Sequence, residues 1–97
     1  MPPFYVELGN SYLKLEKYEP AEVAFKNALK IDPNLVNAYY RLADAYLRQN
    51  KIDEGLEELQ KVIKLAPDSQ EAKYARATIQ KIAQAKLESQ PAETDNP

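Results

Sequence analysis

Residues 5–12 read Tyr-Val-Glu-Leu-Gly-Asn-Ser-Tyr, and residues 39–46 read Tyr-Tyr-Arg-Leu-Ala-Asp-Ala-Tyr. Between the two stretches Tyr5 matches Tyr39, Leu8 matches Leu42 and Tyr12 matches Tyr46, all at an offset of 34 residues. The same offset carries Leu13 onto Leu47, Lys17 onto Lys51, Lys30 onto Lys64 and Pro33 onto Pro67. Near matches fill the gaps: Gly9 with Ala43, Asn10 with Asp44, Lys14 with Arg48, Ala21 with Gly55, Phe25 with Leu59 and Ala28 with Val62. A fixed period of this size marks a repeated supersecondary unit that stacks on its own copy.

Helical geometry explains which positions recur. Tyr5, Leu8, Gly9 and Tyr12 are three and four apart, so they share one helix face. Ala21, Phe25 and Ala28 do the same further along. Small residues at 9 and 21 let two helix backbones come close, and Tyr5, Tyr12 and Phe25 fill the space around them. Pro33 and Pro67 end helices, because the residue before a proline avoids helical geometry. Punctuation divides the chain into five helical segments, near residues 4–15, 20–31, 35–49, 54–65 and 69–87. Pro20 sits in a first turn, where its missing N–H costs nothing. Asn34 and Asp53 are the expected N-caps, and Asp68-Ser-Gln-Glu71 is an expected capping box with Asp in place of the hydroxyl residue. Connections of about two to five residues force neighbouring helices antiparallel. The expected class is all-α.

The pattern Tyr5-x-x-Leu8-Gly9-x-x-Tyr12, then Ala21-x-x-x-Phe25-x-x-Ala28, then Pro33 resembles the tetratricopeptide repeat. That family has Trp where this chain has Tyr5. The resemblance covers residues 2–35 as one unit and 36–69 as a looser second unit. It implies a right-handed superhelical stack of two antiparallel helix hairpins, with a concave groove that binds peptide segments of partner proteins. A third unit does not follow, since Lys73, Arg76 and Gln80 stand where apolar residues should recur. Residues 70–88 carry a stripe of their own, Ala72, Ala75, Ile79, Ile82 and Ala83, as expected of a capping helix with one apolar face. Residues 89–97, with two Pro and almost nothing apolar, are expected to be a disordered tail. So few repeats suggest a sufficient cap, a piece of a longer chain, or self-association.

Composition removes most chemistry. The 97 residues carry 13 Lys+Arg against 15 Asp+Glu, which argues against nucleic acid as a partner. With no Cys and no His, there is no thiolate, no imidazole base and no zinc-type ligand set, and two Gly cannot make a phosphate loop. No metal, cofactor or catalytic residue is expected, and the chain is not expected to be an enzyme. Carboxylate pairs such as Glu57/Glu58 lie among Lys residues and suit solvated helix faces. No apolar run is long enough to span a bilayer, and no signal peptide is visible. A soluble, cytoplasmic protein is the expectation.

The candidate site is the unpacked face of the first helix in each unit. It holds Asn10 and Lys14 (or Leu13), beside Val6, in the first segment. In the third it holds Asn37, Tyr40, Arg41, Asp44 and Arg48, and in the fifth Tyr74, beside Glu71, Thr78 and Lys81. Of seven Tyr, Tyr5, Tyr12, Tyr39 and Tyr46 belong to the repeat core and Tyr18 to a helix junction. Tyr40 and Tyr74, again 34 apart, should stand in one column, offering wide contact area with a polar tip. The plainer alternative is an ordinary exposed face with Asp44 and Arg48 as an i,i+4 pair. Some members of the resembled family hold acidic C-terminal peptides of heat-shock chaperones in a carboxylate clamp. That clamp wants Lys at Val6, Asn at Asn10, Asn at Arg41, and Lys and Arg at Glu71 and Ala75. Only Asn10 matches, so no clamp is expected. The expected function is binding a protein or peptide ligand in the groove. The alternative is a structural role, as a homo-oligomer or a docking domain of a larger protein, through apolar residues such as Ile82 and Leu87 on the last helix.

Overall fold

The structure is a computed structural model and describes residues 2–89. Those residues form five α-helices and no strand: α1 (Pro2–Lys14), α2 (Tyr18–Ile31), α3 (Val36–Arg48), α4 (Ile52–Leu65) and α5 (Gln70–Ser89). The expected all-α stack of two antiparallel hairpins followed by a further helix is what the chain adopts. The tail expected over 89–97 falls, beyond Ser89, outside the described residues.

Two apolar clusters hold the stack together, and α3 contributes to both. One face of α3, with Ala38, Leu42, Ala45 and Tyr46, packs on Ala21 and Phe25 of α2. Another places Ala43 against Leu59 and Val62 of α4 and Ala72 and Ala75 of α5. Phe25, Leu59 and Val62 are the largest fully buried side chains. Each contributes about 1.5–3 kcal/mol by leaving water. The repeat pattern named Ala21, Phe25, Leu42, Ala43, Tyr46, Leu59 and Val62 of this core, and the close approaches at its small positions, but not the equally buried Ala24, Ala38 and Ala45. A β-carbon added at Gly9 would lie 2.6 Å from the Phe25 ring, and one at Gly55 would lie 2.6 Å from Leu47 Cδ2.

Helix ends follow a repeat of their own. After α1, Lys17 N–H donates to Tyr12 O at 2.8 Å and Glu16 N–H to Leu13 O at 2.9 Å. After α3, Lys51 N–H donates to Tyr46 O at 2.9 Å and Asn50 N–H to Leu47 O at 3.0 Å. Both are Schellman endings, which need a left-handed residue. Here these are Glu16 (φ 60°) and Asn50 (φ 64°) rather than glycine. The expected N-caps are corrected. Leu35 and Lys51 occupy the caps of α3 and α4 without side-chain cap bonds. Asn34 instead donates its backbone N–H to Asp32 Oδ1 at 3.1 Å, and Asp53 lies inside the first turn of α4. Ser69, not Asp68, caps α5: its Oγ accepts the Ala72 N–H at 3.0 Å and donates to Ala66 O at 2.7 Å.

α1 touches α3 and α3 touches α5, whereas α2 and α4 do not meet. Helices that crowd together on one layer and part on the other make a curved stack, with α1, α3 and α5 on its inner side. The radius of gyration is 15.1 Å, against about 12 Å for a compact chain of this length. α5 spans 20 residues to the 14 of α4, running helically through residues 83–85, where α1 and α3 each break at the matching positions. Ala83 is consequently exposed rather than part of the packed stripe, while Ala72 and Ala75 are buried and Ile79 packs against them.

Candidate functional site

The inner layer carries two adjoining depressions. The first, of about 430 Å³ between α1 and α3, is lined by Asn10, Leu13, Lys14, Glu16, Tyr18, Arg41, Asp44 and Arg48. The second, of about 130 Å³ between α3 and α5, is lined by Asn37, Tyr40, Arg41, Gln70, Glu71 and Tyr74. Arg41 lines both. All eight residues named from the sequence, Asn10, Lys14, Asn37, Tyr40, Arg41, Asp44, Arg48 and Tyr74, thus line one or the other. Thr78 and Lys81 line neither, and Val6 packs on the core cluster instead.

Tyr40 and Tyr74 stand side by side as the offset requires, with ring centroids 6.3 Å apart and planes tilted by 37°. Tyr40 is half-buried and Tyr74 is exposed. Desolvation first, then the Asp44 carboxylate, pushes the Tyr40 hydroxyl above its usual pKa, so it stays protonated and able to donate. The Gln70 amide donates to the Tyr74 hydroxyl at 3.2 Å.

The charged residues are held by their near ends. Arg41 Nε donates to Asn37 Oδ1 at 3.3 Å, and Arg48 Nε to Asp44 Oδ1 at 3.2 Å. The Arg48 guanidinium also lies 5.9 Å from the centre of the Tyr18 ring. The Tyr18 hydroxyl, then Asp44, raise the Arg48 pKa further. Asn10 is partly buried, and its Oδ1 is a buried atom without a hydrogen-bond donor among the described residues. A buried amide oxygen without a donor costs free energy.

The sequence did not point to Tyr18, Glu16 or Gln70, and it offered Leu13 only as an alternative to Lys14, whereas both line the depression. Tyr18 corresponds to Ile52 in the second hairpin, so the repeat hides it. Its part in the depression comes from the α1–α2 turn folding beneath Arg48. A larger hollow of about 800 Å³ lies where α5 outruns α4, lined by Ile52, Ile82 and Ala85 among others. Among the described residues no three carboxylates converge as a metal site would need, and no helix is long and apolar enough to cross a membrane.

Comparison with known proteins agrees with this architecture. The tetratricopeptide repeat family model matches residues 5–79. The chain is 31% identical over 77 residues to sperm-associated antigen 1 of Mus musculus, covering 79% of this chain and 8% of that protein. It is 34% identical over 74 residues to Hsp70-Hsp90 organizing protein 3 of Arabidopsis thaliana, covering 76% of this chain and 13% of that protein. The chain therefore corresponds to a small part of these relatives. Among solved structures it is similar to the first tetratricopeptide domain of Spaghetti (RPAP3) bound to the HSP90 peptide SRMEEVD. The TM-score there is 0.80 and the identity 25%, covering 90% of this chain and 67% of that one. A 34-residue helical repeat, a curved stack and a matched family model together place the chain in the tetratricopeptide repeat family, a protein-interaction fold.

Proposed function

We propose that the inner groove binds a peptide segment of a partner protein and that the domain is a binding module without catalytic activity. One observation carries this most directly. Polar and aromatic groups of α1, α3 and α5 collect on one open face, with the Tyr40–Tyr74 pair at one end and Asn10, Lys14 and Arg41 at the other. The related solved domain, which has a peptide bound, supports the same use of the fold. The test is a peptide selected by the domain from a random library. Tyr40→Ala combined with Arg41→Ala should weaken its binding at least about tenfold, a loss of roughly 1.4 kcal/mol. Lys30→Ala, on the exposed outer surface, should leave it unchanged. Equal affinity in all three proteins would remove the groove from consideration.

We further propose that this groove does not clamp a terminal carboxylate. Val6, Arg41, Glu71 and Ala75 stand where the clamp wants Lys, Asn, Lys and Arg. SRMEEVD as free acid and as C-terminal amide should bind within about twofold of each other, since Val6, Glu71 and Ala75 leave the positions of the clamp's Lys and Arg without a cation. A strong preference for the free acid would establish a clamp despite those residues.

A structural role has one observation in its favour. Phe4, Leu8 and Ser11 of α1 correspond to Ala38, Leu42 and Ala45 of α3, which are buried against α2, yet Phe4 is 59% exposed. Leu87, at 68%, is exposed on α5. Self-association through these faces predicts a mass in light scattering that rises with concentration and reverts with Phe4→Lys. A strict monomer at high concentration would exclude it.

A further inference from the structure

We propose that the α1–α3 depression recognises the carboxylate side chain of an Asp or Glu inside the bound peptide, and that the Tyr40–Tyr74 depression takes an apolar or aromatic residue about three positions away. This rests on the peptide-groove function proposed above and adds the chemistry of the ligand.

Bonding within the depression leaves specific groups unspent. Asp44 and Arg48 are paired with each other, and the exposed Asp44 and Arg48 side chains largely cancel. Arg41 uses only Nε, on the neutral amide of Asn37, so its two terminal nitrogens keep their paired donors without a partner among the described residues. Lys14, also exposed, makes no hydrogen bond or ion pair among the described residues. Of the charges lining the hollow, Lys14 and Arg41 therefore remain beyond the Asp44–Arg48 pair, against the single carboxylate of Glu16 on the rim. This locally positive hollow sits in a chain of net charge −2, so it does not follow from overall composition.

A guanidinium that offers two parallel N–H groups fits a carboxylate, and a neighbouring ammonium adds a point charge. Asn10 lines the same hollow, and since no donor holds its buried Oδ1, a turn of its side-chain amide would offer that oxygen to the backbone N–H of the residue whose side chain meets Arg41. An internal peptide residue has both groups to give. The second depression opens on the other side of Arg41, one helix spacing away. Adjacent helices lie about 8–10 Å apart, which extended chain covers in about three residues. Tyr40 and Tyr74 offer ring surface there, while Glu71 makes that end unsuited to a second acidic residue.

The test uses a random dodecamer library fused to carrier at both ends, so that no peptide has a free terminus. Selection on the wild-type domain should enrich Asp or Glu at one position and an apolar or aromatic residue about three away. A selected peptide, synthesised with an amidated C-terminus, should lose at least about tenfold in affinity to a Lys14→Glu, Arg41→Glu domain. Replacing its acidic residue by Lys should restore binding to that variant and abolish it for the wild type. Both substituted side chains are exposed, and an unchanged thermal melt verifies that the variant folds. Enriched peptides without an acidic preference, or equal binding to the charge-reversed domain, would overturn the carboxylate subsite and leave peptide binding intact. No enrichment over a Tyr40→Ala, Arg41→Ala domain would overturn the groove itself, and this inference with it.

Discussion

Between Gly9 and Phe25 there is no room for a single methyl group. The added carbon would lie 2.6 Å from two ring atoms of a side chain that is fully buried. Gly9→Ala gains about 1 kcal/mol of helix propensity, yet overpacking costs typically 1–3 kcal/mol, so net destabilisation is expected. The second hairpin shows the remedy, with Ala43 and Leu59 at the matching positions. Gly9→Ala with Phe25→Leu should therefore recover stability that neither single change has, a favourable coupling measurable by a denaturant double-mutant cycle. Glu16 is the opposite case. It holds a left-handed conformation that costs a non-glycine residue about 1–2 kcal/mol. Glu16→Gly should raise stability by roughly 0.5–1 kcal/mol after the added freedom of the unfolded chain is subtracted. A lower denaturation midpoint would refute this. These two sites also explain what was legible. Gly9 and Ala21 announce a close approach because small residues recur at one helix face. Glu16 announces nothing, since a Schellman ending is normally read from a glycine, and both glycines of this chain are spent inside helices.

Single helices are joined by a polar network on the outer side of the stack. Glu22 of α2 accepts from Lys26 Nζ at 3.0 Å, from Gln49 Nε2 at 3.0 Å and from Lys51 Nζ at 3.5 Å, so it ties α2 to the α3–α4 turn. Burial pushes its carboxyl up, but the Gln49 and Lys26 bonds with the charges of Lys26 and Lys51 outweigh that, and its pKa lies below the usual 4.5. The stabilisation is then present above the unfolded pKa and disappears as pH falls through the folded one. Glu22→Gln should destabilise near pH 7 and approach wild type as pH falls below the folded pKa of Glu22. Glu58 of α4 is the reverse. Desolvation raises its carboxyl above 4.5 despite Lys61 at 3.5 Å, so it favours the fold only while protonated, and loses that as pH rises. Glu58→Gln should be stabilising near pH 7 and silent near pH 3, so the two variants must diverge in opposite directions across one pH series. A common direction would contradict the assigned partners. Glu58 corrects an expectation: it suited a solvated helix face beside Glu57 but is buried in the stack, with Lys61 one turn on as its partner. Glu22 was not legible as special in the sequence, because its partners Gln49 and Lys51, 27 and 29 residues away, are set by stacking and not by helical spacing. The same reason hid the caps. Asn34 and Asp53 have the right chemistry one and two residues out of place, while Ser69 stands where α5 begins.

Across the whole molecule, stability passes from neighbour to neighbour, and α3 is where the two clusters meet. The offset of 34 made this architecture readable, because one translation fixes helix, face and partner together. The groove was legible too, as the face left over when the packed positions are subtracted, though its division into two depressions joined by Arg41 depends on curvature that no periodicity encodes. Curvature and cap are linked: Ala72 and Ala75 of α5 cover Ala43, Leu59 and Val62, and Tyr74 completes the pair with Tyr40. Ending the chain at Ala66 therefore removes more than one helix. It opens the second cluster to water while leaving the first, on Phe25 and Leu42, intact. In a linear stack a terminal unit without its cover should unravel before the rest. The shortened chain is expected to lose more helical circular dichroism at 222 nm than the residues of α5 account for. Its melt should be broad, with amide exchange fast in α4 and slower in α2. Leu59→Ala should then hardly change the shortened chain, while costing the full chain about 2–5 kcal/mol. A sharp, cooperative melt in the shortened chain, with Leu59→Ala still costly, would mean that the two hairpins are self-sufficient and that α5 serves the groove alone.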